Sequence, residues 1–207
     1  MRKPFRLLIA VPCMDYVHVD FMKSLMELTQ HLQREGINHT LEILSGTLIY
    51  FARNNLAYKA INEEYTHILF IDSDMVFDKN IVETLMFSGK DFVCGAFQSR
   101  RPKYGSCVYT ALNPLERVKE YGAAPFRVAG CGMAMTIISR EILKQVNDRY
   151  GTCFDPEIIG GIKFGEDLAF CRRATDIGIE IWCEPTARVG HIAHTAIWPG
   201  DEEKQGG

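Results

Sequence analysis

A chain of 207 residues is long enough for one domain with a full-sized core. Its composition, 47% hydrophobic, 11% aromatic and 24% charged, is that of an ordinary globular protein. A net charge of −3, from 23 basic and 26 acidic residues, argues against coating nucleic acid by bulk charge.

Seven cysteines, at positions 13, 94, 107, 131, 153, 171 and 183, are an odd number, lie far apart and include no CxxC pair. They signal neither a disulfide framework nor a thiolate zinc site, and they fit a reducing cytoplasm. Residues 5–12 (FRLLIAVP) are an apolar run of strand length, too short to span a membrane and without a cleavage-site pattern. The Asn38-His39-Thr40 sequon is therefore expected to carry no glycan.

In chain order, residues 5–12 predict a strand buried on both faces. Phe21, Met22, Leu25, Leu28 and Leu32 then recur at helical spacing within 18–35, stopped by Gly36. A strand over 38–44, a helix over 47–63 and a buried strand over 66–71 (THILFI) follow. This β-α-β-α-β order predicts a parallel sheet with crossover helices, an open α/β fold. A short helix over 79–88 and a strand over 91–97 come next, and the Arg-, Pro-, Tyr- and Gly-rich stretch 99–126 reads as irregular. Residues 128–138 predict one strand and 139–147 a helix capped by Ser139. A Gly-rich loop at 160–165 leads into a helix from Glu166 to Thr175, ended by Gly178, and then a strand at 179–183. Residues 1–200 read as one domain and the polar tail 201–207 as disordered.

Three features carry chemistry. The first is Ile68-Leu69-Phe70-Ile71-Asp72-Ser73-Asp74, where two carboxylates two residues apart end a strand and are expected to project to one side. Ligands bind at the carboxyl ends of strands in open α/β sheets, and two close carboxylates need a cation. A solvated turn or a helix N-cap is the bland alternative. The second is Gly165-Glu166-Asp167-Leu168, a glycine entering a helix whose first turn is acidic; simple capping competes there with a general base. The third is Gly190-His191-Ile192-Ala193-His194, where either histidine is a candidate metal ligand.

The ordered set, an apolar strand ending in Pro12, then "ARNNLA" at 52–57, "LFIDSDMVF" at 69–77, "GCGMA" at 130–134, "GEDLAFCRRA" at 165–174 and "GH" at 190–191, resembles the GT-A glycosyltransferases. The likeness is greatest to inverting, family-2-like enzymes of the short single-domain type found in phages and bacteria. It spans nearly the whole chain. The resemblance implies a mostly parallel, Rossmann-like sheet with helices on both faces, and transfer of a sugar from a nucleoside diphosphate sugar to an acceptor hydroxyl.

By that resemblance Asp74 would bind the metal directly, with Asp72 helping through the metal's water or the donor ribose, and His191 would be the remaining ligand. A carboxylate–imidazole site suits Mn²⁺ or Mg²⁺. Asp167 matches the family's base, with Glu166 beside it orienting a substrate. Pro12, Arg53 and Asn54, with Ser73, match the region that cradles the nucleotide, and Gly130 and Gly132 would let backbone approach the donor sugar. The stretch Ile43-Leu44-Ser45-Gly46 lacks the aspartate with which many relatives grip the base, so UDP is implied less firmly than a nucleoside diphosphate in general. Arg100-Arg101-Pro102-Lys103-Tyr104 is the dense basic cluster. There Arg101 would meet phosphate, on the donor or on an acceptor that is a glycan or a modified DNA base. Two other readings stand beside this one: a nucleotidyltransferase of similar fold, disfavoured by Cys13-Met14-Asp15-Tyr16-Val17 where a glycine-rich basic loop belongs, and a non-catalytic nucleotide-sugar-binding module.

Overall fold

The structure is a computed structural model that describes residues 4–100 and 105–193; Arg101, His194 and the tail 201–207 lie outside the described residues. In chain order the elements are β1 (Leu7–Pro12), α1 (Val19–Arg34), β2 (His39–Leu44), α2 (Ile49–Asn62), β3 (His67–Ile71), β4 (Met75–Val76), α3 (Ile81–Met86) and β5 (Phe92–Ala96). After them come β6 (Val108–Leu112), β7 (Leu115–Arg117), β8 (Phe126–Val128), β9 (Gly130–Cys131), β10 (Met135–Ser139) and α4 (Arg140–Tyr150). The last are β11 (Glu157–Ile159), β12 (Ile162–Phe164), α5 (Glu166–Asp176), β13 (Ile181–Arg188) and β14 (Gly190–His191).

Seven strands form the central sheet in the order β2-β1-β3-β10-β5-β13-β8. The pairs β1/β2, β1/β3 and β13/β5 are parallel, and β10 and β8 alone run against the other five. The sheet is thus mostly parallel, as expected. Every residue of β1 is buried, and successive side chains pack on opposite faces, as a sheet covered on both sides requires. Leu7, Ile9 and Val11 pack with Phe21, Leu25, Leu28 and Leu32 of α1 and Ile81, Val82 and Leu85 of α3. Leu8 and Ala10 face the opposite layer, with Leu56 and Ala57 of α2, Leu143 and Val146 of α4, and Phe170 and Ala174 of α5. Helices therefore cover both faces. All seven cysteines are free thiols, and all but Cys107 are buried.

Four expectations change. The stretch 99–126, read as irregular, holds β6 and β7, which with β9 make a separate three-stranded sheet. Polar content hid them because only Val108 and Tyr109 of these strands are buried. The single strand expected over 128–138 is three pieces on two sheets, β8, β9 and β10; a continuous apolar run does not reveal where buried backbone turns. Ser139 stands at the N-cap position of α4, but its side chain makes no capping bond. The Gly-rich loop at 160–165 is the tip of the β11–β12 hairpin: Gly160 and Gly161 hold φ of 56° and 82°, the left-handed pair a two-residue hairpin turn needs.

Candidate active site

The site lies where the open α/β sheet predicts, at the carboxyl ends of β3, β5 and β13. The Asp72 amide donates to the Ala134 carbonyl at 3.0 Å, tying the end of β3 to the lead-in of β10. The chain then turns, with the Met75 amide donating to the Asp72 carbonyl at 3.3 Å, and β4 pairs antiparallel with β14. That pairing sets His191 opposite Met75, and the Ile192 amide donates to the Asp74 carbonyl at 2.8 Å. His191 thereby reaches Asp74, with Nε2 3.2 Å from Oδ2.

The turn also separates the two aspartates. Asp72 Oδ1 accepts from Arg53 Nη2 at 2.7 Å, whereas Asp74 Oδ2 meets His191 and, at 3.3 Å, Arg100 Nη1. The two carboxylates, expected to project to one side, meet different protein cations: strand alternation ends at Ile71, Asp72 pairs with Arg53, and Asp74 pairs with His191 and Arg100. Among the described residues no group of three or more His, Cys, Asp or Glu side chains is arranged to hold a metal ion. Asp72, Asp74 and His191 are close neighbours but not one ligand cluster.

The Asp74–His191 pair has a chemical peculiarity. Nδ1 of His191 lies 2.9 Å from the Gln98 carbonyl, an acceptor only, so Nδ1 carries the proton of a neutral ring. The Nε2 lone pair of that neutral ring then faces the Asp74 carboxylate, so two lone-pair donors converge. Either a second proton or a metal ion resolves that contact, and an imidazole oriented by a carbonyl beside a carboxylate suits Mn²⁺ or Mg²⁺. The hydrogen bond to Asp74 raises the His191 pKa against its burial. Burial pushes the Asp74 carboxyl up, but His191 and Arg100 outweigh it and hold it below the ordinary value.

Asp167 and Glu166 open α5, after Gly165 at its N-cap. The Leu168 amide donates to Asp167 Oδ1 at 2.7 Å. Burial, reinforced by the neighbouring Glu166 charge, pushes the Asp167 pKa up to about 6 against the pull of Leu168 and Arg53. Its Oδ2 faces Gly132: a Cβ there would stand 3.7 Å from that oxygen and 3.1 Å from the Phe97 ring. At Gly130 the corresponding space is filled by Leu112, Cys171 and Leu168, so packing is what demands a glycine there.

Arg53, on α2, is 2% exposed and sits among three carboxylates, bonded to Asp72 and with Nε 3.5 Å from Glu166. Burial works against its charge, yet Asp72, Glu166 and Asp167 hold its pKa above the ordinary value. Its Nε and Nη1 are buried without hydrogen-bond partners, donors left over for something else. The adjacent Asn54 differs from expectation. Its Nδ2 donates to Asp155 at 2.7 Å and its Oδ1 accepts from Thr152, Cys153 and Phe154, so the amide is used up in holding residues 152–155. Pro12 is buried at the end of β1, paired with Leu44, and the Ser73 carbonyl accepts from the His18 amide at 3.5 Å. Sequence reasoning missed Gln98, Phe97 and Tyr121, and it placed Arg100 only as part of a basic run; single uncharged residues in loops carry no motif.

No protein-family model matches the sequence, and no curated protein does. Among solved structures, A197 from STIV aligns with a TM-score of 0.58 at 21% identity, over 94% of this chain and 97% of that one. A Drosophila β1,4-galactosyltransferase 7 mutant in complex with manganese, UDP-Gal and xylobiose aligns at 0.49 and 14% identity, over 97% of this chain and 79% of that one. The inositol-1-phosphate CTP transferase from T. maritima aligns at 0.49 and 10% identity, over 99% and 96%. The likeness to A197 at 21% identity is one of fold, and the mostly parallel α/β sheet expected from the sequence is the one found.

Proposed function

We propose that the chain is a metal-dependent glycosyltransferase, moving a sugar from a nucleoside diphosphate sugar, a UDP-sugar, to an acceptor hydroxyl with inversion. The observation that carries this reading is the pairing of two unlike carboxylates at one sheet edge. Asp74 lies against the His191 ring, and Asp167, which shares the Arg53 cation with Asp72, is a carboxyl raised to about 6. The first pair suits a cation that holds a diphosphate. The second suits a proton acceptor working near neutral pH.

Asp74 and His191 would hold the ion, which when bound supplies charge neutralisation for the departing diphosphate. Arg53, with its unused donors, and Asp72 would face the nucleotide's diphosphate and ribose, and Pro12 and Ser73 would line that end. Glu166 would orient a substrate, and Asp167, whose Oδ2 faces Gly132, would meet it there. The Asp167 carboxylate takes the acceptor's hydroxyl proton as that oxygen bonds to the anomeric carbon from the face opposite the leaving group. The bond from carbon to the β-phosphate oxygen breaks, and UDP leaves with the electron pair. The acceptor is a glycan or a nucleic-acid base at this level of reading.

The test is consumption of a panel of UDP-sugars in Mn²⁺, with and without chelator. Asp74→Ala is expected to lose both metal-dependent UDP binding and turnover. Asp167→Asn is expected to keep donor binding and lose transfer by at least about a hundredfold, the low end of what a general base supplies. Wild-type transfer by Asp167→Asn would remove the assigned base.

A further inference from the structure

A cavity of about 920 Å³ opens beside His191, lined by the ends of β5 and β13 and by Tyr121. Sheet order fixes its position relative to the reaction. The nucleotide-end residues belong to β1 and α2, the carboxylates follow β3, and the cavity lies beyond them over β5 and β13, on the side away from Pro12. It touches the reacting centre twice. His191 lines it while contacting Asp74, and Phe97 lines it while packing where a side chain of Gly132 would stand, next to Asp167.

Its charge is one-sided. Arg100 and Arg188 both line it, and no carboxylate does among the described residues. Arg100 is tied to Asp74, whereas Arg188 is exposed and has no ion pair among the described residues. Arg188 is also deliberately placed. On β5 the consecutive residues Gly95 and Ala96 pair with Glu184 and Arg188, so residues 185–187 bulge out of the ladder. Glu184, 2% exposed, holds that bulge by accepting from the Thr186 amide at 3.1 Å and hydroxyl at 2.5 Å. Bulges beside a site re-aim side chains, and this one brings Pro185 and Arg188 to the cavity wall. Tyr121 offers a ring while its hydroxyl is engaged by Ser106 and by the Phe97 carbonyl. An aromatic surface next to a free guanidinium takes a sugar-like body with an anionic group.

We propose that this cavity is the acceptor site and that the acceptor is a small phosphorylated hydroxyl compound, its phosphate held by Arg188 and its body laid on Tyr121. The assignment rests on the transferase reading for its name, but the anion site stands on the cavity alone. A cavity of about 920 Å³ whose cationic side chains are Arg100 and Arg188 fits a sugar phosphate rather than a duplex, and a chain of net charge −3 carries little bulk positive charge for a nucleic-acid polymer.

The test is titration calorimetry without donor and with chelator, using inorganic phosphate, glucose 6-phosphate, glucose and a short DNA oligonucleotide. The wild-type protein is expected to bind phosphate and glucose 6-phosphate in the millimolar range or tighter, and glucose at least tenfold more weakly. Arg188→Ala should weaken both phosphate ligands tenfold or more, Arg188→Lys should restore part of the loss, and Arg149→Ala, on the far surface of α4, should change nothing. No phosphate binding, equal binding of glucose, or an indifferent Arg188→Ala overturns the inference. So does an oligonucleotide that binds more tightly than glucose 6-phosphate. UDP binding in Mn²⁺, measured alongside, separates the two readings. UDP bound without an Arg188-dependent anion site sinks the acceptor assignment alone. The reverse leaves the anion site and sinks the transferase.

Discussion

Asp167 shows how one residue trades stability for chemistry. A carboxyl whose pKa climbs from the ordinary 3.8 to about 6 on folding binds its proton more tightly in the native state. Between about pH 4 and pH 6 the folded protein therefore holds more protons than the unfolded one, and stability falls as pH rises through that window. Below it the penalty is absent; above pH 6 it is complete, at most about 3 kcal/mol. Asp167→Asn is thus expected to be more stable than wild type at pH 8, by about 1–3 kcal/mol in urea unfolding, and no more stable at pH 4. An equal difference at both values would mean the carboxyl is not strained by burial. As the proposed base, the same group predicts a transfer rate that falls about tenfold per pH unit below pH 6. The signature of this aspartate in the sequence was its place after a glycine at a helix start. Its altered affinity for protons was invisible there, since the burial comes from the fold and the adjacent charge sits on the same turn.

Among elements, the β5–β13 pair carries most of what was unexpected. The sequence shows a strand at 179–183, but β13 runs on to Arg188 through the bulge, because parallel pairing with β5 and the buried Glu184 reward the longer path. Gly95 is the contact that permits it: a Cβ there would come within 2.7 Å of the Ala187 carbonyl oxygen, a backbone atom that cannot swing aside. Gly95→Ala is expected to destabilise by about 2–4 kcal/mol in denaturant unfolding, as overpacking against backbone does, and to displace Arg188. A neutral Gly95→Ala would show the bulge to be loose. Helix α1 was legible because its apolar spacing and its stop at Gly36 are local. The Asn54 side chain was not, since its partners lie about a hundred residues on, in the segment 152–155 that it fastens to α2.

For the whole molecule, the site is assembled from pieces that the sheet alone brings together: α2, the ends of β3, β5 and β13, the start of α5 and β14. A ligand that bridges them binds the native state and not the unfolded chain, so it must stabilise by mass action. At a hundredfold excess over its dissociation constant a UDP-sugar with Mn²⁺ is expected to add about 2.7 kcal/mol, raising Tm by about 5–10 °C for a chain of this length. Chelator should erase the increment, and so should Asp74→Ala. A shift that survives chelator would place the nucleotide somewhere other than the Asp74–His191 edge.

Local chemistry determined the βαβαβ order, the two-faced burial of β1, the acidic turn after β3 and the acidic start of α5, because periodicity, capping and strand-end placement are properties of neighbouring residues. The tertiary structure alone decided which cation each aspartate meets, that the His191 ring, anchored by the Gln98 carbonyl, arrives at Asp74, and that β10 runs backwards through the sheet. It also decided that two arginines from separate segments face one cavity. Those outcomes depend on strand order and on distances between residues far apart in the chain, and a sequence contains no measure of either.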